Sequence, residues 1–462
     1  MRRDIDQFFY NIIGKRVAFC GIGKSNLPLI KLFSKKGAKV TACDSKDATQ
    51  LGDVIEELKP YNIQFKLGPD YLKNLDSDII FRSPGLKFYT PELIEYKNRG
   101  TVVISEMELF FDLCPCKIIG VTGSDGKTTT TTIISKMLIQ EGKKVHVGGN
   151  IGTPLLPKIE SINENDIVVV ELSSFQLISM RKSPDVAVIT NISPNHLDVH
   201  KDMTEYIEAK KNIILHQNGF SSAILNLDNE ITKQFDKNVR GQTLFFSSKS
   251  RCESGVYLDG DTIYFAKNGV SKPILNKSDI RIPGEHNVEN YMAAISAVID
   301  EVSIESIKNV AENFAGVEHR AEFVREVNGV KYYNDSIASS PTRTICGTLS
   351  LFSQKIILIS GGYDKKIPFD TLGSVIAEKV KILILMGQTA TKIRDAVVNS
   401  SKFSSDTLKI ISVKSMQEAV SIAKEYAVPG DVVSLSPACA SFDLYKDFAA
   451  RGNHYKDLVN EL

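Results

Sequence analysis

The sequence predicts an α/β protein of three domains, each built on a mostly parallel sheet. Short β-branched runs alternate with amphipathic stretches almost throughout, the rhythm of βαβ units. Glycine-rich turns stand where strands pass into helices, at Gly21-Ile-Gly23 and again between Gly120 and Gly126. The 462 residues are about three domains' worth at roughly 150 residues each. Hydrophobic residues make up 42% and charged residues 24%, a balance that lets each domain bury a core.

Charge and cysteine content exclude several classes. Lys plus Arg total 56 against 55 Asp plus Glu, so a formal charge of +1 gives no support to a nucleic-acid-coating or polybasic membrane protein. The seven cysteines are too scattered for a disulfide framework. Cys114 and Cys116 form the one close pair, with no second pair to complete a zinc site. The amino terminus, MRRDIDQFFYNIIGKR, is interrupted by Asp4 and Asp6, and its apolar stretch is too short for a signal peptide or membrane span. A reduced, cytoplasmic protein with no nucleic-acid partner and no membrane insertion is expected.

In chain order, the first unit is a strand at 16–20, the turn Gly21-Ile-Gly23, a helix to Lys36 and a strand at 39–43 leading to Asp44. A second nucleotide-type unit opens with a strand at 117–121, a glycine-rich turn and a helix to about Glu141. Strands follow at 167–170, 186–189 and 223–227, and a hairpin at Leu258-Asp-Gly-Asp261. The segments 249–255 and 267–272 read as polar loops. The third region opens with a hairpin at Asn328-Gly329, followed by strands at 355–359, 382–386, 408–411 and 432–435. Boundaries are expected near residues 105 and 316.

The strongest chemical signal is Gly120-Val-Thr-Gly123-Ser124-Asp125-Gly126-Lys127-Thr128-Thr129 between a strand and a helix. Glycines let backbone N–H groups converge on phosphate oxygens, and the helix N-terminus adds partial positive charge. Lys127 can reach β- and γ-phosphates, and the Thr128 hydroxyl can ligate Mg²⁺. Five residues separate Gly120 from Gly126, one more than in the usual phosphate loop, so this is a variant. Gly21-Ile-Gly23-Lys-Ser25-Asn26, with Asp44 about twenty residues on, resembles a dinucleotide fingerprint whose third glycine is replaced by Asn26. That replacement weakens a nicotinamide reading. With Arg82-Ser83-Pro84-Gly85 ending another strand, the turn suggests binding of some nucleotide or its phosphates, with a ligand-free α/β turn as the alternative.

Glu171 follows the 167–170 run, and His196 follows the 186–189 strand in Asn191-Ile-Ser-Pro-Asn-His196. Both fall where α/β sheets place ligands, and a carboxylate with an imidazole would suit Mg²⁺ bridging phosphates. A lone Glu or His is more often structural. Lys210 and Lys211 lie on a helical stretch and read as a solvated face; composition and spacing do not single out Lys210.

Taken in order, Thr122-Gly-Ser-Asp-Gly-Lys-Thr128, Glu171-Leu-Ser-Ser-Phe-Gln, Asn191 to His196, Gly284-Glu-His-Asn-Val-Glu-Asn290, His319-Arg320 and Asn334-Asp335-Ser336 resemble the ATP-dependent Mur ligases. These add amino acids to UDP-N-acetylmuramoyl precursors of peptidoglycan. The run Ser436-Pro-Ala-Cys-Ala-Ser441-Phe-Asp-Leu-Tyr-Lys-Asp-Phe448-Ala-Ala-Arg451-Gly452 is similar to that of the member attaching D-glutamate to UDP-N-acetylmuramoyl-L-alanine. The resemblance implies a Rossmann-like UDP-substrate domain over 1–105, a P-loop-type ATP and Mg²⁺ domain over 106–316, and a Rossmann-like domain over 317–462 that closes over ATP and binds D-glutamate.

It further implies that a substrate carboxylate attacks ATP to give an acyl phosphate, which the amine of D-glutamate then opens. Lys127 would serve the phosphates, with Gly123, Ser124, Asp125, Gly126, Thr128 and Thr129 around them. Thr128, Glu171, His196 and Lys210, the last as a carbamate, would hold Mg²⁺. Gly23, Ser25, Asp44, Ser83 and Gly85 would hold the uridine nucleotide, with Asn150 near phosphates and substrate. Asn287 and Asn290 match adenine-side positions. Arg320 and Asp335 match nucleotide contacts, and Lys365, Ser441 and Phe448 match positions on the D-glutamate side. A monomer is expected. Two departures stand out: Asp125 where many relatives have Asn, and Ile337 where many have Lys. No site role passes to Ile337, and Arg343, two helical turns on, is a candidate replacement for the missing cation. The rival readings are another Mur-type or folylpolyglutamate-type amino-acid ligase, a nicotinamide dehydrogenase, and a non-catalytic nucleotide-binding protein.

Overall fold

The computed structural model describes residues 4–194 and 199–462. His196 lies outside the described residues. The chain forms two compact units, Met1–Asp279 with Val288–Val310, and Ile280–Asn287 with Ala311–Leu462. Among the described residues there are three sheets, two in the first unit and one in the second.

The first sheet contains β1 (Arg16–Cys20), β2 (Lys39–Asp44), β3 (Ile63–Leu67), β4 (Ile79–Arg82) and β5 (Val102–Ile104). Its order is β3-β2-β1-β4-β5, all parallel. The order reverses at β1, and a parallel sheet opens its ligand crevice at such a point. Phe19 stacks on Phe81 at 4.8 Å, and Phe33, from the Leu27–Lys35 helix, meets both edge-on. This aromatic triangle locks the helix onto β1 and β4.

The second sheet holds β6 (Lys117–Thr122), β7 (Val145–Gly149), β8 (Ile167–Glu171), β9 (Val186–Ile189), β10 (Ser222–Asn226), β11 (Gln242–Ser247), β12 (Gly255–Asp259), β13 (Thr262–Lys267) and β14 (Val270–Asn276). Its order is β14-β13-β12-β11-β10-β9-β6-β8-β7, parallel from β7 to β12 and antiparallel beyond. Central strands such as β8 are buried along their whole length, which is why they read as unbroken apolar runs. The hairpin expected at Leu258-Asp-Gly-Asp261 joins β12 to β13. The polar loop expected at 267–272 is instead a second hairpin. Asn268 and Gly269 both take positive φ, 55° and 77°, and β14 begins at Val270. The strand escapes a periodicity reading because it is the sheet edge: its first four residues are exposed, and it tolerates Pro273.

The third sheet contains β15 (Glu322–Val327), β16 (Val330–Asn334), β17 (Ile356–Ser360), β18 (Val380–Leu385), β19 (Lys409–Ser412) and β20 (Val432–Leu435). Its order is β15-β16-β20-β17-β18-β19, with β15 the antiparallel member. Asn328 (φ 50°) and Gly329 (φ 77°) make the β15–β16 turn, where two positive φ values match the twist of a tight hairpin. No helix among the described residues is long and apolar enough to cross a membrane. Cys114 Sγ and Cys116 Sγ lie 3.8 Å apart, both buried.

Candidate functional site

The phosphate loop runs from the end of β6 to the Lys127–Gln140 helix. Gly123 and Gly126 have φ of 152° and 79°. A Cβ on Gly123 would lie 1.9 Å from Thr190 Oγ1, and one on Gly126 would lie 2.3 Å from Asn290 Oδ1, so neither position admits a side chain. The segment after β9 pins the loop. Ser124 N donates to Asn191 O at 2.8 Å, Asp125 N donates to Asn191 Oδ1 at 3.0 Å, and Thr190 Oγ1 donates to Asp125 O at 2.6 Å. These contacts engage the backbone of Asp125, while its side chain is exposed. Thr129, in the first turn of the helix, is half-buried.

Lys127 Nζ curls over the loop and donates to Gly123 O at 2.9 Å and Ser124 O at 2.8 Å. Thr128 Oγ1 donates to Glu171 Oε2 at 2.7 Å, and Asn150 Nδ2 donates to Glu171 Oε1 at 2.7 Å. Strand order explains the meeting: β6, β8 and β7 are neighbours, so the residues at their carboxyl ends converge. Lys210, on the Met203–Leu215 helix, is 2% exposed. Its Nζ donates to Gly123 O at 2.7 Å and Thr122 Oγ1 at 3.2 Å, and lies 4.9 Å over the Tyr206 ring. Burial, reinforced by the Lys127 charge, holds its amine well below the usual lysine range. Lys211 next to it is half-buried and reaches Glu208. The adjacent lysines, alike in sequence, therefore differ in environment, and the solvated face expected for both does not hold for Lys210.

Among the described residues, no three His, Cys, Asp or Glu side chains gather into a metal cluster. The oxygen donors Thr128 and Glu171 nevertheless suit a hard cation beside phosphates. The glycine cradle and the Lys127 ammonium suit the phosphates themselves. Sequence reasoning missed His200, which is 4% exposed. Its Nε2 pairs with Ser174 Oγ at 2.9 Å, its Nδ1 with Glu205 Oε2 at 3.2 Å, and its ring stacks on Phe175. The available signal was a second histidine four residues after His196.

At the crevice of the first sheet, Asp44 accepts from Ile22 N at 2.8 Å and from Lys46 N at 3.0 Å. Gly21, at φ 94°, brings its turn against the next one: a Cβ there would lie 2.7 Å from Ser83 Oγ. Gly23 and Gly85 face open space, and Ser25 is half-buried. Asn26 explains the broken fingerprint. Its Nδ2 donates to Gly21 O at 2.9 Å and Cys20 O at 3.3 Å, tying the turn with a side chain where a dinucleotide fold packs a glycine.

In the first unit Asn290 Oδ1 also accepts from Thr130 Oγ1 at 3.2 Å. In the second unit Asn287 Nδ2 donates to Pro283 O at 2.6 Å. Arg320 is exposed after Val317, and Lys365 Nζ donates to Ser339 O at 3.2 Å. Ser441 is buried, and Phe448 is half-exposed with its ring edge-on to His319. Arg343 is exposed, and its Nη1 reaches Ile337 O at 3.4 Å. Arg451 is buried, donating to Ser336 Oγ, Ser336 O, Ala440 O and Cys439 O.

Asp335 is enclosed, accepting from Thr348 Oγ1 and Ser436 Oγ at 2.9 Å each and from Ala321 N at 3.2 Å. Burial pushes its carboxyl up to about 6 despite those donors. Between the unfolded value of about 3.9 and this folded value, the folded state holds more protons, so the group subtracts stability as pH rises through that window. The subtraction is on the order of 2–3 kcal/mol once pH exceeds the folded value. Asp335→Asn should flatten this dependence. Urea unfolding of both proteins at pH 4.5 and 6.5 checks it; parallel pH profiles would refute the assignment.

A glycine cradle feeding a helix N-terminus, a lysine over it and oxygen donors beside it define a nucleoside-triphosphate-binding α/β protein. The Mur ligase middle domain family matches residues 121–298, the Mur ligase glutamate ligase domain residues 319–439, and the MurD-like N-terminal domain residues 15–105. The chain is 53% identical to the UDP-N-acetylmuramoylalanine–D-glutamate ligase of Acetivibrio thermocellus, and 50% identical to that of Ruminiclostridium cellulolyticum. Each match covers 100% of both chains. The chain belongs to the Mur ligase family. The solved UDP-N-acetylmuramate–alanine ligase MurC of Thermotoga maritima shares its fold, with a TM-score of 0.58 at 17% identity over 97% of this chain and 99% of that one.

Proposed function

We propose that this chain is an ATP-dependent ligase joining D-glutamate to UDP-N-acetylmuramoyl-L-alanine, with ADP and phosphate as the other products. The observation that carries the chemistry is the convergence of Lys127, Thr128, Glu171 and Lys210 on one glycine cradle. A carboxylate oxygen of the substrate attacks the γ-phosphorus of ATP, and ADP leaves. The amine of D-glutamate attacks the resulting acyl carbon, the C–O bond to phosphate breaks, and the amine gives up its proton. Little covalent chemistry falls to the protein. It positions two reactants and offsets charge on the transferring phosphoryl oxygens.

Lys127 and the loop amides of 123–129 serve the phosphates. Mg²⁺, when bound, neutralises charge on the phosphoryl oxygens, and Thr128, Glu171, His196 and Lys210 would hold it. Lys210 fits that set as a carbamate. An amine held below its ordinary pKa adds CO₂ and loses a proton, becoming an anionic oxygen donor. Gly23, Ser25, Asp44, Ser83 and Gly85 take the uridine nucleotide, and Asn150 lies toward the substrate. Asn287, Asn290, Arg320 and Asp335 serve ATP, and Lys365, Ser441 and Phe448 take D-glutamate. The corresponding domains are 1–105, 106–316 and 317–462. The enzyme acts as a cytoplasmic monomer. A panel of amino acids, with product masses measured, tests the specificity. D-glutamate should be incorporated; preferential incorporation of another amino acid would replace this reading with that of a different amino-acid ligase.

A further inference from the structure

Arg82 ends β4 immediately before Ser83-Pro84-Gly85, and no role has yet fallen to it. It is 3% exposed. Its Nη1 donates to Leu86 O at 2.9 Å, closing the turn that contains Ser83 and Gly85. Its Nη2 leaves the first sheet altogether and donates to Phe175 O at 3.2 Å and Ser179 Oγ at 3.3 Å. The Ser179 hydroxyl donates onward to Glu108 Oε2 at 2.8 Å, so the buried guanidinium is joined to a carboxylate through one hydroxyl. Glu108 also caps the Glu106–Leu113 helix by accepting from Ser105 N and Ser105 Oγ. The fork therefore spans the junction between the first sheet and the second, with each arm on a different side.

Phe175 belongs to the short Ser174–Leu177 helix, which follows Glu171. From it a packed path returns to the phosphate loop. The Phe175 ring stacks on His200 at 5.2 Å and 6°, and His200 also pairs with Ser174 Oγ. His200 meets Tyr206 edge-on at 5.4 Å, and Tyr206 Oη shares a hydrogen bond with Ser124 Oγ at 2.9 Å. Every link is a buried or half-buried ring or hydrogen bond, so one continuous packed path joins the two ends.

We propose that Arg82 is a positioning residue that couples occupancy of the Ser83-Pro84-Gly85 turn by the UDP end of the substrate to the arrangement of the phosphate loop, through the Ser174–Leu177 helix, His200 and Tyr206. This rests on the assignment of that turn to the uridine nucleotide. Each ligand then tightens the other, because each selects the same setting of the fork. A lysine cannot replace Arg82. One ammonium does not present the planar fork that serves Leu86 O and Phe175 O from separate nitrogens.

The test measures affinity for a non-hydrolysable ATP analogue, by calorimetry on the full chain with Mg²⁺, with and without saturating UDP-N-acetylmuramoyl-L-alanine. The native protein should bind the analogue about fivefold or more tightly when the substrate is present, the usual lower range of coupling between sites. In Arg82→Lys and Arg82→Met the ratio should fall to within about twofold of one, with a larger loss in kcat than rise in substrate KM. Ser179→Ala, a milder change that removes one acceptor of the Arg82 fork, should lower the ratio partway. A ratio near one in the native protein, or a native ratio in folded Arg82→Met, overturns the proposal. If the Arg82 variants do not fold, an unchanged ratio in Ser179→Ala overturns it. No binding of UDP-N-acetylmuramoyl-L-alanine to the native chain would instead refute the substrate assignment itself.

Discussion

Lys127→Ala should fold normally and lose ATP turnover by on the order of a hundredfold or more. The side chain is half-buried and donates to two carbonyls of its own loop, Gly123 O and Ser124 O. Those carbonyls mark where its ammonium sits: at the lip of the glycine cradle, within reach of phosphate oxygens that would outbid them. A neutral methyl leaves the transferring phosphoryl charge without its nearest fixed cation, and that loss falls on the transition state more than on the ground state. Circular dichroism should match the native protein while phosphate release collapses. Near-normal release from a folded variant would remove the loop from the chemistry.

Lys210→Ala should also be inactive, and here the repair is as informative as the damage. The Lys210 side chain is enclosed, with its amine on Gly123 O and Thr122 Oγ1 beside the phosphate loop. If that amine carries a carbamate, truncation leaves a space shaped for a small carboxylate. Formate or acetate should then restore part of the activity by supplying the missing oxygens. Lys210→Arg should stay inactive, because a guanidinium remains cationic and cannot add CO₂. A readout independent of turnover is the carbonyl carbon signal that ¹³C-bicarbonate should give in the native protein and not in Lys210→Ala. Full activity in Lys210→Arg would rule out the carbamate.

The contrast between these lysines shows what the sequence could reveal. Lys127 stood out because a Gly-Lys-Thr run between strand and helix has a local physical reason to exist. Lys210 had none. Its neighbour Lys211 has the same charge and the same helix, and the rotation that encloses one and leaves the other half-buried is decided by packing against β6 and Tyr206. The sheets were legible for a similar reason: strands such as β8 and β20 are buried on both faces and read as apolar runs. The edge strand β14, half exposed and carrying a proline, did not announce itself. Asn26 was legible as a departure but not as a solution. That its amide ties Gly21 O and Cys20 O depends on a turn geometry no spacing rule contains. The contacts of Arg82 with Phe175 and of His200 with Ser174 were not legible, because these partners lie on separate elements brought together by the fold.

The central claim is that the substrate carboxylate takes up the γ-phosphoryl group before the amine attacks. Substrate labelled with ¹⁸O in both carboxylate oxygens, incubated with the enzyme, ATP, Mg²⁺ and D-glutamate, tests it most directly. The oxygen that attacks phosphorus leaves with it, so the released phosphate should carry one ¹⁸O and the new amide the other. Phosphate free of label, formed together with the ligated product, would contradict the acyl-phosphate route.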